Sequence, residues 1–280
     1  MYQVNVGNRH SLVFPVMCNA HLLLDYSRNV ANTLTSSRDD DATIGIWDMN
    51  TSFTLETILT PYDCNGNSSA TITTTEKTMP YNTNTSSQSR KSIDTGSRGT
   101  YSMCIFYSDN AQLYLVNTNS TYTKAAEYKL QFVVTADGGS GNVTTTLNSP
   151  AIIGGSTSYP TNTEALYLLT PYHIAASFDS ATGSMDIIVN NNLVASSVHS
   201  AKASKTLNFS MANTDCYIGS IPPTGTWNDD GEASYRKQFM GELHELCITE
   251  GHQTVFAGIH TLVPNYENLK LYLRFEEVDL

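Results

Sequence analysis

Residues 172–197, YHIAASFDSATGSMDIIVNNNLVASS, constrain the fold more tightly than any other stretch of the chain. Tyr172, Ile174, Ala176 and Phe178 alternate with His173, Ala175 and Ser177, the period of a strand with one buried face. Residues 179–183, DSATG, form a turn cluster ending in the residue that most easily takes positive φ. Met185, Ile187 and Val189 mark one face of a second strand. Asn190-Asn191-Asn192 supplies the next reversal, because Asn tolerates the left-handed region better than other residues with a Cβ. Leu193-Val194-Ala195 then opens a third strand. Three such strands make an antiparallel meander, and its apolar face requires a second layer to cover it.

The rest of the chain repeats this pattern. Strands are expected within 11–16, 20–26, 43–48 and 52–60. In the last of these, Phe53, Leu55, Ile58 and Leu59 break strict alternation, which implies a bulge or burial on two sides. Residues 101–107 and 112–116 flank Ser108-Asp109-Asn110 as a hairpin. Residues 127–136 and 143–147 flank Asp137-Gly138-Gly139. Alternating strands follow at 206–211, 215–218, 239–248 and 269–276, the last with Leu269, Leu271, Leu273 and Phe275 on one face. The one helix expected, a short one, covers 254–260. Strands with turn signals about every ten residues and almost no helix point to an all-β sandwich. No fixed-period repeat indicates a propeller or solenoid. No Pro/Gly-rich linker divides the 280 residues, so a single domain over 1–280 is expected. It carries an insertion at about 68–100 dominated by Thr, Ser and Asn. A loop of that length is functional, ordered by a partner, or a solvated insertion.

Composition restricts function. The formal net charge of −11 repels phosphate backbones and anionic bilayers, so neither nucleic acid nor membrane is an expected partner. No window approaches the roughly 18 apolar residues of a membrane span. The five cysteines are odd in number and lack CxxC spacing, and several, such as Cys104 and Cys247, fall in apolar patterns, as buried reduced thiols do. With no signal-peptide pattern at Met1–Val6, synthesis in a cytoplasm is expected.

The meander resembles the laminin-G-like branch of the concanavalin A-like lectin/glucanase jelly rolls. Members carry an aromatic-His-Val-Ala strand, an Asp-x-x-Thr-Gly turn, a Tyr-Val-Asn-Gly hairpin and a following apolar pair. Tyr172-His173-Ile174-Ala175, residues 179–183, Ile188-Val189-Asn190-Asn191 and Leu193-Val194 look like these parts. Cys216-Tyr217-Ile218-Gly219 resembles the family's strand ending in Ile-Gly, and residues 239–248 resemble its Phe-x-Gly-x-Ile-Asp-Glu-Val strand. The likeness covers residues 160–250 well and the first half loosely. It implies a jelly-roll sandwich of two antiparallel sheets with long polar loops. It does not imply one function, since that fold serves lectins, glycosidases, adhesins and spacers.

The family's glucanases use a Glu-x-Asp-x-x-Glu strand, with the carboxylates on one face for retaining hydrolysis. Nothing here matches. Glu242 and Glu245 are three apart and on a regular strand face opposite sides. The seven histidines show no metal-ligand spacing, and His173 is expected at the surface or between the sheets. No nucleophile elbow or phosphate loop occurs. Calcium, the ion the resemblance implies, needs several oxygens close together. The candidates are Asp63, Asn65 and Asn67, or Asp229, Asp230 and Glu232, all of which also serve as turn residues. Trp227 and Tyr81 are candidates for stacking on sugars or for anchoring loops. The expected function is therefore non-enzymatic. One reading is a virion structural protein, a capsid-decorating or tail-associated component made in a host cytoplasm. It would contact other virion proteins, itself, or a surface glycan. This reading rests on the absent catalytic groups, the reduced cysteines and the polar insertion, traits that resemble phage proteins carrying laminin-G-like domains. The alternative is a calcium-assisted carbohydrate-binding module or adhesin at the cell surface or outside it.

Overall fold

The computed structural model describes residues 2–6, 9–14, 22–24, 49, 51–61, 102–118, 127–154, 170–202, 205–211, 215–222, 239, 241–258, 261–263 and 267–274. Its strands are β1 (Tyr2–Val6), β2 (Arg9–Phe14), β3 (Leu22–Leu24), β4 (Phe53–Pro61), β5 (Ser102–Tyr107), β6 (Ala111–Asn117) and β7 (Glu127–Asp137). They continue as β8 (Asn142–Gly154), β9 (Tyr172–Phe178), β10 (Ser184–Val189), β11 (Asn192–Val198), β12 (Cys216–Ile218), β13 (Gly241–Glu250) and β14 (Leu269–Arg274). An eight-stranded sheet runs β1-β2-β13-β4-β9-β10-β11, with β14 also paired to β13, and a six-stranded sheet runs β3-β12-β5-β6-β7-β8. Every pairing is antiparallel. The chain is thus an all-β jelly-roll sandwich, and residues 172–198 form the expected meander.

The two sheets meet on their inner faces. Leu55 and Leu59 of β4, Ile174 and Ala176 of β9, and Met185 and Ile187 of β10 pack onto Leu113, Leu130 and Leu147 of the other sheet. At one end of this core Phe53 stacks on Phe209 with centroids 4.9 Å apart, and it lies 6.0 Å from Phe132 and 5.9 Å from Phe178. Face-offset and edge contacts of this kind add to the area they bury. Leu207, Phe209 and Met211 alternate into the core as the sequence pattern requires. The segment is nonetheless not a strand. Its one ladder contact is the bridge from Asn208 to Asp137, so it crosses the sandwich instead of joining a sheet.

The broken alternation in β4 is burial on two sides. All nine of its residues are buried, because the outer face of the eight-stranded sheet is itself covered. The irregularity lies in the partner strand. Between Leu243 and Glu245 the pairing of β13 with β4 shifts by one residue, and His244 is the extra one. A second shift, at Lys270, separates β14 into two parts. Leu271 and Leu273 pack on the inner core, whereas Leu269 turns to the outer face beside Cys247. A single unbroken face over 269–275 is therefore not what forms, and Phe275 lies outside the described residues.

The two meander turns follow their sequences. Asn190 and Asn191 both have positive φ, 49° and 63°, the pair of values a two-residue type I′ hairpin requires. The other turn is organised by Asp179. Its Oδ1 accepts from Ala181 N at 2.9 Å and from Ser52 Oγ at 2.9 Å, and its Oδ2 accepts from Thr182 Oγ1 at 2.6 Å. Partial burial alone would push this carboxyl up, but the hydrogen bonds from Thr182, Ala181 and Ser52 outweigh it and hold the group below the usual carboxylate range. A carboxyl so held contributes stability above its unfolded value of about 4 and loses it as the pH falls through the folded value. Asp179→Ala is expected to cost about 2 kcal/mol near neutral pH. The difference from wild type should close in acid, as paired thermal melts at neutral pH and below the carboxylate range would show.

The described cysteines Cys104, Cys216 and Cys247 are buried and reduced. Burial pushes the Cys216 and Cys247 thiols up to about 12, so they are structural and unreactive. Cys18 and Cys64 lie outside the described residues.

Candidate functional site

Each sheet has an outer face, and the two differ in kind. On the eight-stranded sheet, Thr54, Glu56, Ile58 and Thr60 of β4 point away from the core. His173, Ala175 and Ser177 of β9 and Asp186 and Ile188 of β10 share that face through the strand register. The shift at His244 adds Glu242 and Glu245 to it. Glu242 pairs with Thr60 and Glu245 with Ile58, two positions apart on β4. The two carboxylates therefore share a face, contrary to the regular-strand expectation.

This face is closed. The chain leaving β13, described over 251–258 and 261–263, runs across it as a strap. The residues expected to start a helix at 254 are not helical through 258. Their backbone is held by side chains of the sheet instead. Gln253 N donates to Thr54 Oγ1 at 3.0 Å and to Ser177 Oγ at 2.9 Å. Asn191 clasps Phe256, accepting from its N at 3.0 Å and donating to its O at 3.1 Å. Leu262 N donates to Glu245 Oε2 at 2.9 Å, and the Tyr272 hydroxyl donates to the same oxygen at 3.1 Å. Backbone polar groups that a helix would pair internally are thus satisfied one by one.

Two imidazole–carboxylate pairs belong to this face, one beneath the strap and one joining the strap to the sheet. His173 Nε2 donates to Glu56 Oε1 at 2.8 Å, and His252 Nε2 to Asp186 Oδ2 at 2.6 Å. His173 is 1% exposed and is covered by the Phe256 ring at 5.1 Å. It is neither a surface residue nor one between the sheets, because it is on the outer face and the strap buries it. Glu242 and Glu245 are also buried, at 4% and 6% exposure. What excludes them as a hydrolytic pair is that they are covered and that Glu245 is engaged. Opposite placement is not the reason.

The outer face of the six-stranded sheet is different. Tyr217 of β12 is opposite Tyr107 of β5, which is opposite Gln112 of β6. Gln112 is opposite Val133 of β7, and Val133 is opposite Thr146 of β8. One row along, Cys104, Tyr114, Gln131 and Asn148 follow one another across the same strands. The Tyr107 and Tyr217 rings meet edge to face, with centroids 6.3 Å apart. The Tyr114 hydroxyl donates to Gln112 Oε1 at 2.8 Å, Gln131 Nε2 to Asn148 Oδ1 at 3.2 Å, and Thr135 and Thr144 share a hydroxyl contact of 2.9 Å. Tyr114 is buried, and desolvation pushes its phenol well above the usual range. Tyr107 is raised as well, first by burial and then by Asp109 beside it. Both phenols are therefore neutral donors at ordinary pH. Tyr107 and Tyr217 are half-buried, with part of each ring open to solvent.

Asp63, Asn65, Asn67, Tyr81, Trp227, Asp229, Asp230 and Glu232 lie outside the described residues, as does the insertion at 68–100. Among the described residues no group of three or more His, Cys, Asp or Glu is placed to hold a metal ion. No helix there is long and apolar enough to cross a membrane. The tyrosine face was missed because its residues are scattered from 107 to 217. The signal that reveals it is the outward parity of Tyr in strands whose inward residues are Leu, Ile and Phe.

No protein-family model matches the chain, and no curated protein matches it in sequence. Among solved structures it is similar to the native heptameric SAP-like pentraxin from Limulus polyphemus, at 11% identity over 88% of this chain and 78% of that one, with a TM-score of 0.43. It is similar to domains LG4-5 of the mouse laminin α1 chain, at 13% identity over 77% of this chain and 42% of that one, with a TM-score of 0.35. It is also similar to the IT-sialidase CBM40 of Ruminococcus gnavus, at 12% identity over 78% of this chain and 84% of that one, with a TM-score of 0.35. At such identities and TM-scores these are likenesses of architecture, and no residue role passes from them to this chain.

Proposed function

We propose that the protein is a non-enzymatic carbohydrate-binding module that works through the outer face of its six-stranded sheet. The observation that carries this reading is the row of Tyr217, Tyr107 and Gln112, backed by Tyr114, Gln131 and Asn148. A sugar ring presents an apolar C–H face edged by hydroxyls. Tyrosine offers a flat apolar ring with a polar tip, and the amides of Gln and Asn each donate and accept. Neighbouring strands about 4.8 Å apart set these groups at a spacing comparable with the width of one sugar ring. Between Asp109, beside Tyr107, and Lys129 the two rows carry no formal charge, which suits a neutral glycan better than an ionic ligand. Asp63, Asn65, Asp229 and Asp230 enter this proposal as accessory calcium ligands, and a melting temperature unchanged by chelator removes that part of it. The virion-component reading rests on the insertion at 68–100 and on absent features, and no described residue favours it.

Glycan-array screening of the whole chain, followed by titration of any hit, tests the proposal. Tyr107→Ala and Tyr217→Ala are each expected to weaken binding at least about tenfold, as truncation of a central aromatic contact does. The fold should persist, because both rings stand outside the inner core. No retained glycan, or binding indifferent to both substitutions, sinks the reading.

A further inference from the structure

Six large hydrophobic residues are exposed among the described ones, and four of them stand on two strands. Leu193 and Val198 are in β11, and Val143 and Ile152 are in β8. These strands end their respective sheets, β11 the eight-stranded and β8 the six-stranded. They also lie on the same side of the sandwich, since Thr145 Oγ1 sits 2.7 Å from Ser200 Oγ and accepts from Ser200 N at 3.0 Å. Both edges therefore belong to one wall.

That wall carries no charge. NLVASSV and NVTTTLNSPAIIG contain no Asp, Glu, Lys, Arg or His, in a chain where 15% of residues are charged. Exposed edge strands present unpaired N–H and C=O groups and are normally blunted with charges, especially Lys. Here the blunting consists of Pro150 and two register shifts in β8, opposite Tyr128–Gln131 of β7, and a bulge at Val194 in β11, where the register shifts between Ile187 and Ile188. No other described segment pairs with the outer edge of either strand.

We infer that this wall is where a second copy of the same chain docks. Residues 195–198 of the two β11 strands pair antiparallel about a two-fold axis, and the two β8 strands face each other behind them. Three observations select a second copy over another partner. Antiparallel edge pairing is self-complementary, so one surface serves both sides of a two-fold. Two molecules that each carry a formal charge of −11 repel one another except where the surface is neutral. The wall also has the needed size. β8 spans about 43 Å at roughly 3.3 Å per residue and lies about 10 Å, one sheet spacing, from β11. With the flanking side chains this gives an area on the order of 800 Å², what a stable dimer buries per partner.

Sedimentation velocity on the whole chain, over a range of concentrations, reads the result directly. A dimer is expected for the wild type. Leu193→Glu combined with Ser196→Glu puts four like charges along the paired edge, two from each copy, and should raise the dissociation constant by about two orders of magnitude. Both side chains are exposed in the monomer, so the melting temperature of the dissociated variant reports that it still folds. Val255→Glu, at an equally open apolar residue off the wall, should leave the dimer intact. Hydrogen exchange on the wild type gives a readout without mutation, since those amides of residues 195–198 that point away from β10 should become protected as concentration rises. A wild type that stays monomeric overturns the inference, as does a dimer indifferent to the double substitution or amides whose exchange ignores concentration.

Discussion

Phe53→Ala is expected to lower the free energy of unfolding by about 3–5 kcal/mol. The first strand residue of β4 carries its ring into the centre of an aromatic group, against Phe132, Phe178 and Phe209. Two of these partners come from opposite sheets, and the third comes from the crossing segment that joins neither. Removing the ring opens a cavity whose walls are themselves fixed, since Phe178 and Phe209 remain in contact at 5.5 Å. A rigid wall does not collapse into the space, which puts the cost at the upper end for such a change. Urea denaturation should show a lower midpoint with an unchanged slope. A loss below about 1 kcal/mol would mean that the three remaining rings repack and that this end of the sandwich is soft.

Gly241→Ala should be comparably damaging for a backbone reason. Gly241 begins β13 at φ 154°, and a Cβ there would lie 2.4 Å from Thr60 O and 2.9 Å from Pro61 Cα. Both neighbours are backbone atoms of the adjoining strand, so neither can swing aside as a side-chain tip would. β13 is flanked at this point by β4 and by β2, because Gly241 is opposite Pro61 on one side and Phe14 on the other. Relief therefore requires moving one strand of a central pair. The conformational and steric parts together amount to about 3–5 kcal/mol. Gly251→Ala makes the comparison, since φ is 103° there with nothing within 4 Å of the added carbon. It should cost only the conformational part, about 1 kcal/mol. Equal losses in the two variants would show that φ alone matters at Gly241.

The parts of the fold that were legible in the sequence are those whose partners are close in the chain. The hairpins around Ser108-Asp109-Asn110 and Asp137-Gly138-Gly139 and the two turns of the meander are set by residues a few positions apart, and each formed where expected. The outer surface of the eight-stranded sheet was not legible. Whether Glu242 and Glu245 share a face depends on one extra residue in β13, and that residue is accommodated by β4. Residues 254–258 read as the start of a helix because their composition permits one. Gln253 is held instead by Thr54 and Ser177 and Phe256 by Asn191, side chains whose positions depend on the completed sheet. The tyrosine face was hidden for a related reason. Outward parity is visible strand by strand, but the strand order that brings Tyr217 beside Tyr107 is not.

The pairing of β13 with β4 also fixes the order in which the molecule can assemble. Thr57 Oγ1 donates to Glu245 O across 188 residues of chain, and β2 and β14 both reach the eight-stranded sheet only through β13. The meander and the β5–β8 hairpins can form as soon as their residues exist, since their loops are short and cheap to close. The central strand is made after all of these, and until then one edge of β4 and its outer face stay open. Folding should therefore be slow for the size of the domain, with a rate set by a late long-range closure. A ribosome stalled before residue 241 would leave the outer face of β4, with Thr54 and Ile58, without the strap that covers it.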